Sequence, residues 1–383
     1  MAEKKKWVAG WGAAISEIAI NHASYIKDQT FRYVIYPSVR GEKLILHFSN
    51  EYGDEAVTVT SVNVAKRRSG EYIYPETVTK VTFGGKAALT MGAGETAVSD
   101  EIPFVFDAGE EFCISMYFGE LTALKTGQSA GGYFIKNYYG KGNWASEEAV
   151  PLEEYGENAP YVFLNTVDFL TDDDVHAVVA FGDSITALPW PDCLAHRLVA
   201  EGYRNVTVIR KAISGNRVLR DYKYRLKTHF GKAGIKRFER DITQAGADRV
   251  IVLEGINDLA HPNPNNRLCG MDELPDSEEM IEKGYRELIG IARRHGMKIF
   301  LGTIMPASRC MREGMIQEKT RQEINEWIRT TADCDGVIDF DRALRDPADP
   351  GTLYPEYDSG DHVHPSLKGS EKMSDTVPNS FVL

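Results

Sequence analysis

At 383 residues, 43% of them apolar and 26% charged, the chain is globular in composition and long enough for two hydrophobic cores. A formal net charge of −12 with no long Lys/Arg run excludes nucleic acid as an expected partner, and no stretch approaches the ~18 apolar residues of a membrane span. The cysteines Cys113, Cys193, Cys269, Cys310 and Cys334 are scattered and lack C-x-x-C spacing, which argues against a disulfide framework or a zinc site and for a reducing, cytoplasmic compartment.

The first residues, Lys4-Lys5-Lys6 followed by an apolar run from Trp7 to Ala14, have a faint leader-like look. The run is short and holds two glycines, so a cytoplasmic protein is the expectation. Residues 1–170 then read mostly as strands. Strand patterns fall at 31–36, 44–48, 57–65, 77–83, 112–118 and 161–164. Turn signals separate them at 49–54, Gly84-Gly85, 92–94 and Gly131-Gly132. Many short strands punctuated in this way, with no long helical periodicity, predict an N-terminal β-sandwich domain. An acidic, proline-containing stretch at 146–160 and the run Thr171-Asp172-Asp173-Asp174 bracket the last of these strands. They place the domain boundary near Thr171.

Residues 171–383 alternate strand and helix. The strands are predicted at 178–182, 206–209, 249–253, 298–302 and 336–340, and the helices at 191–201, 276–295, 318–330 and 365–377. Asp276 with Glu279 resembles a capping box, and Gly296 suits a helix C′ position. Alternation of this kind implies a parallel sheet with helices on both faces, and therefore an α/β fold for this half.

The first strand ends in Gly182-Asp183-Ser184. Open α/β sheets place ligands at the carboxyl ends of their strands, so Ser184 is a candidate nucleophile. It is equally a candidate helix N-cap. Three further segments follow later strands: Ile213-Ser214-Gly215-Asn216-Arg217 after the second, Glu254-Gly255-Ile256-Asn257-Asp258 after the third, and Gly360-Asp361-His362-Val363-His364-Pro365 after the fifth. His364 has the chemistry of a general base for Ser184, and Asp361, three residues earlier, that of its orienting acid. His362 competes for the base role on spacing alone. A His-x-His pair also reads as a metal site, but no further cluster of His and acids accompanies it, so no metal is expected. The Gly215 N–H and the Asn257 amide are donors of the type that stabilises an oxyanion; singly, they also read as a turn glycine and a helix cap.

Taken together and in this order, the four segments resemble the SGNH, or GDSL, hydrolase superfamily. The resemblance implies a three-layer α/β/α, flavodoxin-like catalytic domain at 171–383 with a five-stranded parallel sheet. It implies a Ser184–His364–Asp361 triad and an oxyanion hole formed by the Ser184 N–H, the Gly215 N–H and the Asn257 side chain. It implies no cofactor. A closer resemblance, to the XynE-like branch, rests on 213–219, 252–259, 325–329, 337–350 and 357–362, with 29–32 and 48–53 resembling that branch's N-terminal β domain, here expected as a jelly-roll-like sandwich at 1–170. One departure is Ala187-Leu188, where many relatives carry Asp-Gly.

The site chemistry and the resemblance lead to one expectation: a serine esterase that hydrolyses short-chain esters, acetyl above all, on plant-derived oligosaccharides such as xylan fragments. A general short-chain carboxylesterase or lipase is the alternative within the class. A carbohydrate-binding protein with an idle hydrolase domain is the alternative outside it, and the full set Ser184, Asp361 and His364 argues against that reading. Trp190, Tyr222 and Tyr224 are candidates for stacking on a sugar ring, with core packing as the competing reading. Arg217 and Arg220 are candidate substrate contacts or ion-pair members. The polar loop 263–275 is a candidate specificity loop.

Overall fold

The computed structural model describes residues 4–18, 25–128, 134, 136–151, 160–223, 228–260, 274–309 and 316–383. The predicted turn at Gly131-Gly132, Tyr224, Cys269, Cys310 and nearly all of the 263–275 loop lie outside the described residues. The chain forms two compact units, Met1–His176 with Leu198–Thr207, and Ala177–Arg197 with Val208–Leu383.

The first unit is strand-rich. One antiparallel sheet runs Lys5–Gly12, Leu164–Asp172, Gly41–Ser49, Thr96–Val98, with Ile102–Phe106 also paired to Gly41–Ser49. The leader-like stretch is thus a paired strand. A second sheet runs Asn137–Lys141, Gln29–Ile35, Phe112–Phe118, Ser61–Ser69, Tyr72–Ile73. Phe112 of the second sheet meets Phe106 and Phe169 of the first, at ring-centroid distances of 5.2 and 6.1 Å. Arg32, fully buried, donates to the carbonyls of Glu71, Trp144, Glu147 and Glu148 and so pins the start of the acidic stretch.

Three predicted strands of this unit come out differently. The alternation over 57–65 spans two strands, because Thr60 leaves the ladder: Val57–Val59 pairs with Leu89–Met91, and Ser61–Ser69 pairs with Phe112–Phe118. Pro75 opens a 3₁₀ turn over Pro75–Thr77, leaving only Thr79–Lys80 of the 77–83 run in a sheet. Phe163, at φ 59°, divides Tyr161–Val162 from Leu164–Asp172.

The second unit is built on a five-stranded sheet. Its strands are β1 (His176–Gly182), β2 (Val206–Ala212), β3 (Ala247–Leu253), β4 (Lys298–Gly302) and β5 (Gly336–Ile338), in the order β2-β1-β3-β4-β5. The β1/β3, β3/β4 and β4/β5 pairs are parallel. Parallel strands are covered on both faces, which is why Val178 to Phe181 form an unbroken apolar run with no exposure. The central place of β1, between β2 and β3, sets the loops after these three strands side by side.

Helices α1 (Ser184–Ala187), α2 (Trp190–Ala200), α3 (Gly234–Ile242) and α4 (Ile256–Ala260) follow the first three strands. The expected 276–295 helix forms with its predicted ends: Asp276 accepts from the Glu279 N–H at 2.8 Å, and Gly296 has φ 66°. Its interior differs, because Met280–Tyr285 winds as a π segment between two α turns. β5 is shorter than expected. Asp339 leaves it to cap Phe340–Leu344, accepting from the Arg342 N–H.

Candidate active site

The turn after β1 puts its serine one position inside a helix. Asp183 is the N-cap of α1, and its Oδ1 accepts the Ile185 N–H at 3.0 Å. The competing role for Ser184, the cap, is thereby taken by its neighbour. Ser184 is the first helical residue, with its Oγ toward His364. Gly182 is required by close approach rather than by a left-handed backbone: a Cβ there would lie 2.1 Å from the Leu253 carbonyl and 2.4 Å from Thr186 Oγ1.

His364 comes to Ser184 from the far end of the chain. Its Nε2 lies 2.8 Å from Ser184 Oγ, and its Nδ1 lies 2.5 Å from Asp361 Oδ2. The turn that carries the pair is fixed locally, because Asp361 Oδ1 accepts the backbone N–H groups of Val363 and His364 at 3.0 and 2.8 Å. Partial burial alone would raise the Asp361 carboxyl. The imidazole hydrogen bond and these two N–H groups outweigh it and bring its pKa down to about 2. A carboxylate so firmly ionised is acceptor-only. It therefore holds the proton on Nδ1 and leaves Nε2 as the acceptor for the Ser184 hydroxyl.

His362, the competing base, is engaged elsewhere. Its Nδ1 lies 2.6 Å from Asp358 Oδ2, its N–H donates to Asp358 Oδ1, and its backbone sits at φ 64°. That Oδ1 also accepts the Gly360 N–H at 2.8 Å. This clamp shapes the turn from which Asp361 and His364 project.

The second and third segments follow β2 and β3, the strands on either side of the one that leads to Ser184. Gly215 has φ 78°, and a Cβ there would fall 2.2 Å from the Phe230 ring. Both facts demand glycine. Asn257, in the first turn of α4, donates one amide hydrogen to the Asn216 carbonyl at 3.0 Å. Its neighbour Asp258 accepts the Val218 and Leu219 N–H groups at 2.7 and 3.1 Å and ties the second segment to the third.

The residues expected at the substrate rim do not lie there. Trp190 has no exposed surface and packs 5.7 Å from the Phe340 ring. It belongs to the core because the helix it opens turns its first residue inward. Tyr222 is also buried. Its ring packs, tilted, against Phe230, and its hydroxyl donates to the Gly215 carbonyl at 2.7 Å. Arg217, buried as well, lies over the Tyr222 ring at 4.0 Å, and Arg220 pairs with Glu279 at 2.6 Å. Of these, Tyr222 supports the second segment, through the Gly215 carbonyl and the Arg217 guanidinium.

Beneath the site lie carboxyls that sequence reasoning passed over. Burial pushes Asp183 up to about 7, Glu254 to about 8 and Asp258 to about 6, each against the pull of neighbouring donors or arginines. The signal was present, since Asp183, Glu254 and Asp258 all lie inside the quoted segments, but burial cannot be seen in a motif. Among the described residues no group of His, Cys, Asp and Glu is placed to hold a metal ion.

A hydroxyl, an imidazole and a carboxylate in line at the carboxyl rim of a parallel sheet form the relay of a serine hydrolase. Residues 180–372 match the GDSL-like Lipase/Acylhydrolase family, and the chain belongs to that family of ester hydrolases. Solved structures similar to it include a GDSL-like lipase from Bacteroides thetaiotaomicron, 19% identical, with a TM-score of 0.39 over 54% of this chain and 87% of that one. A protein from Bacillus subtilis is 14% identical, with a TM-score of 0.38 over 97% and 86%. An acetyl xylan esterase from the rumen bacterium Butyrivibrio proteoclasticus is 11% identical, with a TM-score of 0.34 over 98% and 93%. No curated protein matches the chain.

Proposed function

We propose that the protein is a serine esterase in which Ser184 is the nucleophile, His364 the general base and acid, and Asp361 the orienting acid. The observation that carries this reading is the unbroken relay from Asp361 Oδ2 through His364 to Ser184 Oγ, at 2.5 and 2.8 Å. Ser184 Oγ attacks the ester carbonyl while His364 Nε2 takes its proton. The Ser184 and Gly215 N–H groups and the second Asn257 amide hydrogen receive the new oxyanion, each such donor being worth on the order of 10²–10³ in rate. The intermediate collapses, His364 returns the proton to the departing alcohol, and an acyl-enzyme remains. Water, deprotonated by His364, then releases the acid and restores Ser184.

The substrate is proposed as a short-chain ester, acetyl above all, carried on plant-derived oligosaccharides such as xylan fragments. The XynE-like resemblance of both halves of the chain supports this. In the same reading, the two antiparallel sheets that meet at Phe106, Phe112 and Phe169 make a jelly-roll-like β-sandwich, and the second unit is a flavodoxin-like three-layer domain. Acetate release from acetylated xylan fragments, compared with hydrolysis of medium-chain esters by the same enzyme, tests the substrate. Preference for medium chains overturns it and leaves the general carboxylesterase.

A further inference from the structure

A single buried guanidinium touches three of the four segments that make the site. Arg237 stands on the inner face of α3 with about 1% of its surface exposed. Its Nε donates to Asn216 Oδ1 at 2.8 Å, and its Nη2 donates to the Gly182 carbonyl at 2.8 Å. Nη1 donates to the Lys211 carbonyl at 3.0 Å and to Asp241 Oδ2 at 2.8 Å. Nη2 also faces Glu254 Oε1 at 3.7 Å, and the guanidinium carbon lies 4.0 Å from the centre of the Phe181 ring. Gly182 precedes the Asp183-Ser184 turn, Asn216 adjoins Gly215, and Glu254 leads into the Asn257 turn.

The contact with Asn216 is the decisive one. Asn216 uses its amide hydrogens on the Phe230 and Lys232 carbonyls, at 2.6 and 2.9 Å, and its own carbonyl receives the Asn257 amide at 3.0 Å. Arg237 thus fixes the residue that stands between two oxyanion donors. Phe230, held by the same Asn216, is the ring that closes over Gly215.

We propose that Arg237 is a positioning residue of the oxyanion hole: through Asn216 and the Gly182 carbonyl, it sets the Gly215 N–H and the Asn257 amide at the spacing a tetrahedral intermediate requires. This rests on the reading of Ser184 as nucleophile. Lysine cannot take the place of arginine here, because one ammonium cannot span the forked set of acceptors. Donors displaced by a fraction of an ångström keep substrate binding and lose the transition state.

The test uses Arg237→Lys, Asn216→Ala and the double variant in the full chain, with kcat, KM and the inhibition constant of an alkyl boronic acid, which forms a tetrahedral adduct at the serine. Each single variant is expected to lower kcat by about 10- to 100-fold with KM within about twofold, and to weaken the boronate in parallel. The double variant is expected to lose no more than the worse single one, because both act through one contact. Additive losses, or a raised KM with kcat and boronate affinity unchanged, overturn the proposal. Should Arg237→Lys lack a cooperative thermal transition, Asn216→Ala decides alone by the same readings. Ser184→Ala, assayed beside them, separates the two inferences: retained hydrolysis there sinks the nucleophile, whereas an inactive Ser184→Ala with an undisturbed boronate constant in the other variants sinks only Arg237.

Discussion

Asp183, not Ser184, caps the helix that follows the first parallel strand, its Oδ1 receiving the Ile185 N–H at 3.0 Å. That one-residue offset leaves the Ser184 hydroxyl out of the cap and within hydrogen-bond distance of His364 Nε2. Replacing Asp183 by alanine should cost about 1 kcal/mol, the usual value of a lost N-cap. The melting temperature should fall by about 2–4 °C, and kcat should fall with it. An asparagine side chain can still accept the Ile185 N–H, so Asp183→Asn should hold its stability. Thermal melts of the two variants, run side by side, check this.

The two histidines of the last segment should behave differently. His364 faces Ser184, whereas His362 faces Asp358. His364→Ala should lower kcat by about 10⁴-fold or more, as loss of a triad base does. His362→Ala should keep kcat within about tenfold and act on stability through the turn. Steady-state kinetics with a soluble acetyl ester separate the outcomes; equal losses would return His362 to the base role.

The buried carboxyls set a direction for stability against pH. Asp183, Glu254 and Asp258 have folded pKa values of about 7, 8 and 6, all above the roughly 4 of an unfolded carboxyl. Between those limits the folded state binds more protons than the unfolded state. As far as these groups are concerned, stability is therefore greatest at and below about pH 4, and it falls as pH rises toward about 8. Asp361, lowered to about 2, acts in the opposite sense: its contribution is present above about pH 4 and is lost as pH falls toward 2. Urea melts at about pH 5 and about pH 9 should show the alkaline loss, and Glu254→Gln, which cannot ionise, should reduce it.

Gly215 and Gly202 form a controlled pair. Both have positive φ, 78° and 92°, but a Cβ at Gly215 strikes the Phe230 ring while nothing lies within 4 Å of one at Gly202. Gly202→Ala should cost the backbone strain alone, about 1 kcal/mol. Gly215→Ala should cost more and also lower kcat, because the Phe230 ring must move or the N–H must turn. Denaturant midpoints and kcat measured on both variants check it.

Much of this was legible before the fold was known. The Val178–Phe181 run reads as a buried strand because its partners cover both faces, and the four segments lie where parallel strands end. The 57–65 alternation misleads, because periodicity reports which faces are buried and not which partner covers them, and at Thr60 the partner changes. The helix Gly234–Ile242 is hidden for another reason. Its inner face mixes Phe238 and Ile242 with Arg237 and Asp241, all buried, so charge interrupts a short apolar stripe. The positioning residue of the site is thus invisible to a search for hydrophobic period. Trp190 and Tyr222 show the complementary error: an aromatic near a motif in sequence is as often its support as its rim.

The esterase reading stands on Ser184 as the residue acylated during turnover. Incubation with an activated alkyl phosphonate ester, followed by mass spectrometry of the peptides, tests it directly. One adduct is expected, on Ser184, forming in step with the loss of esterase activity, with no adduct or activity in Ser184→Ala. An adduct on another residue that abolishes activity, or hydrolysis retained by Ser184→Ala, would contradict it.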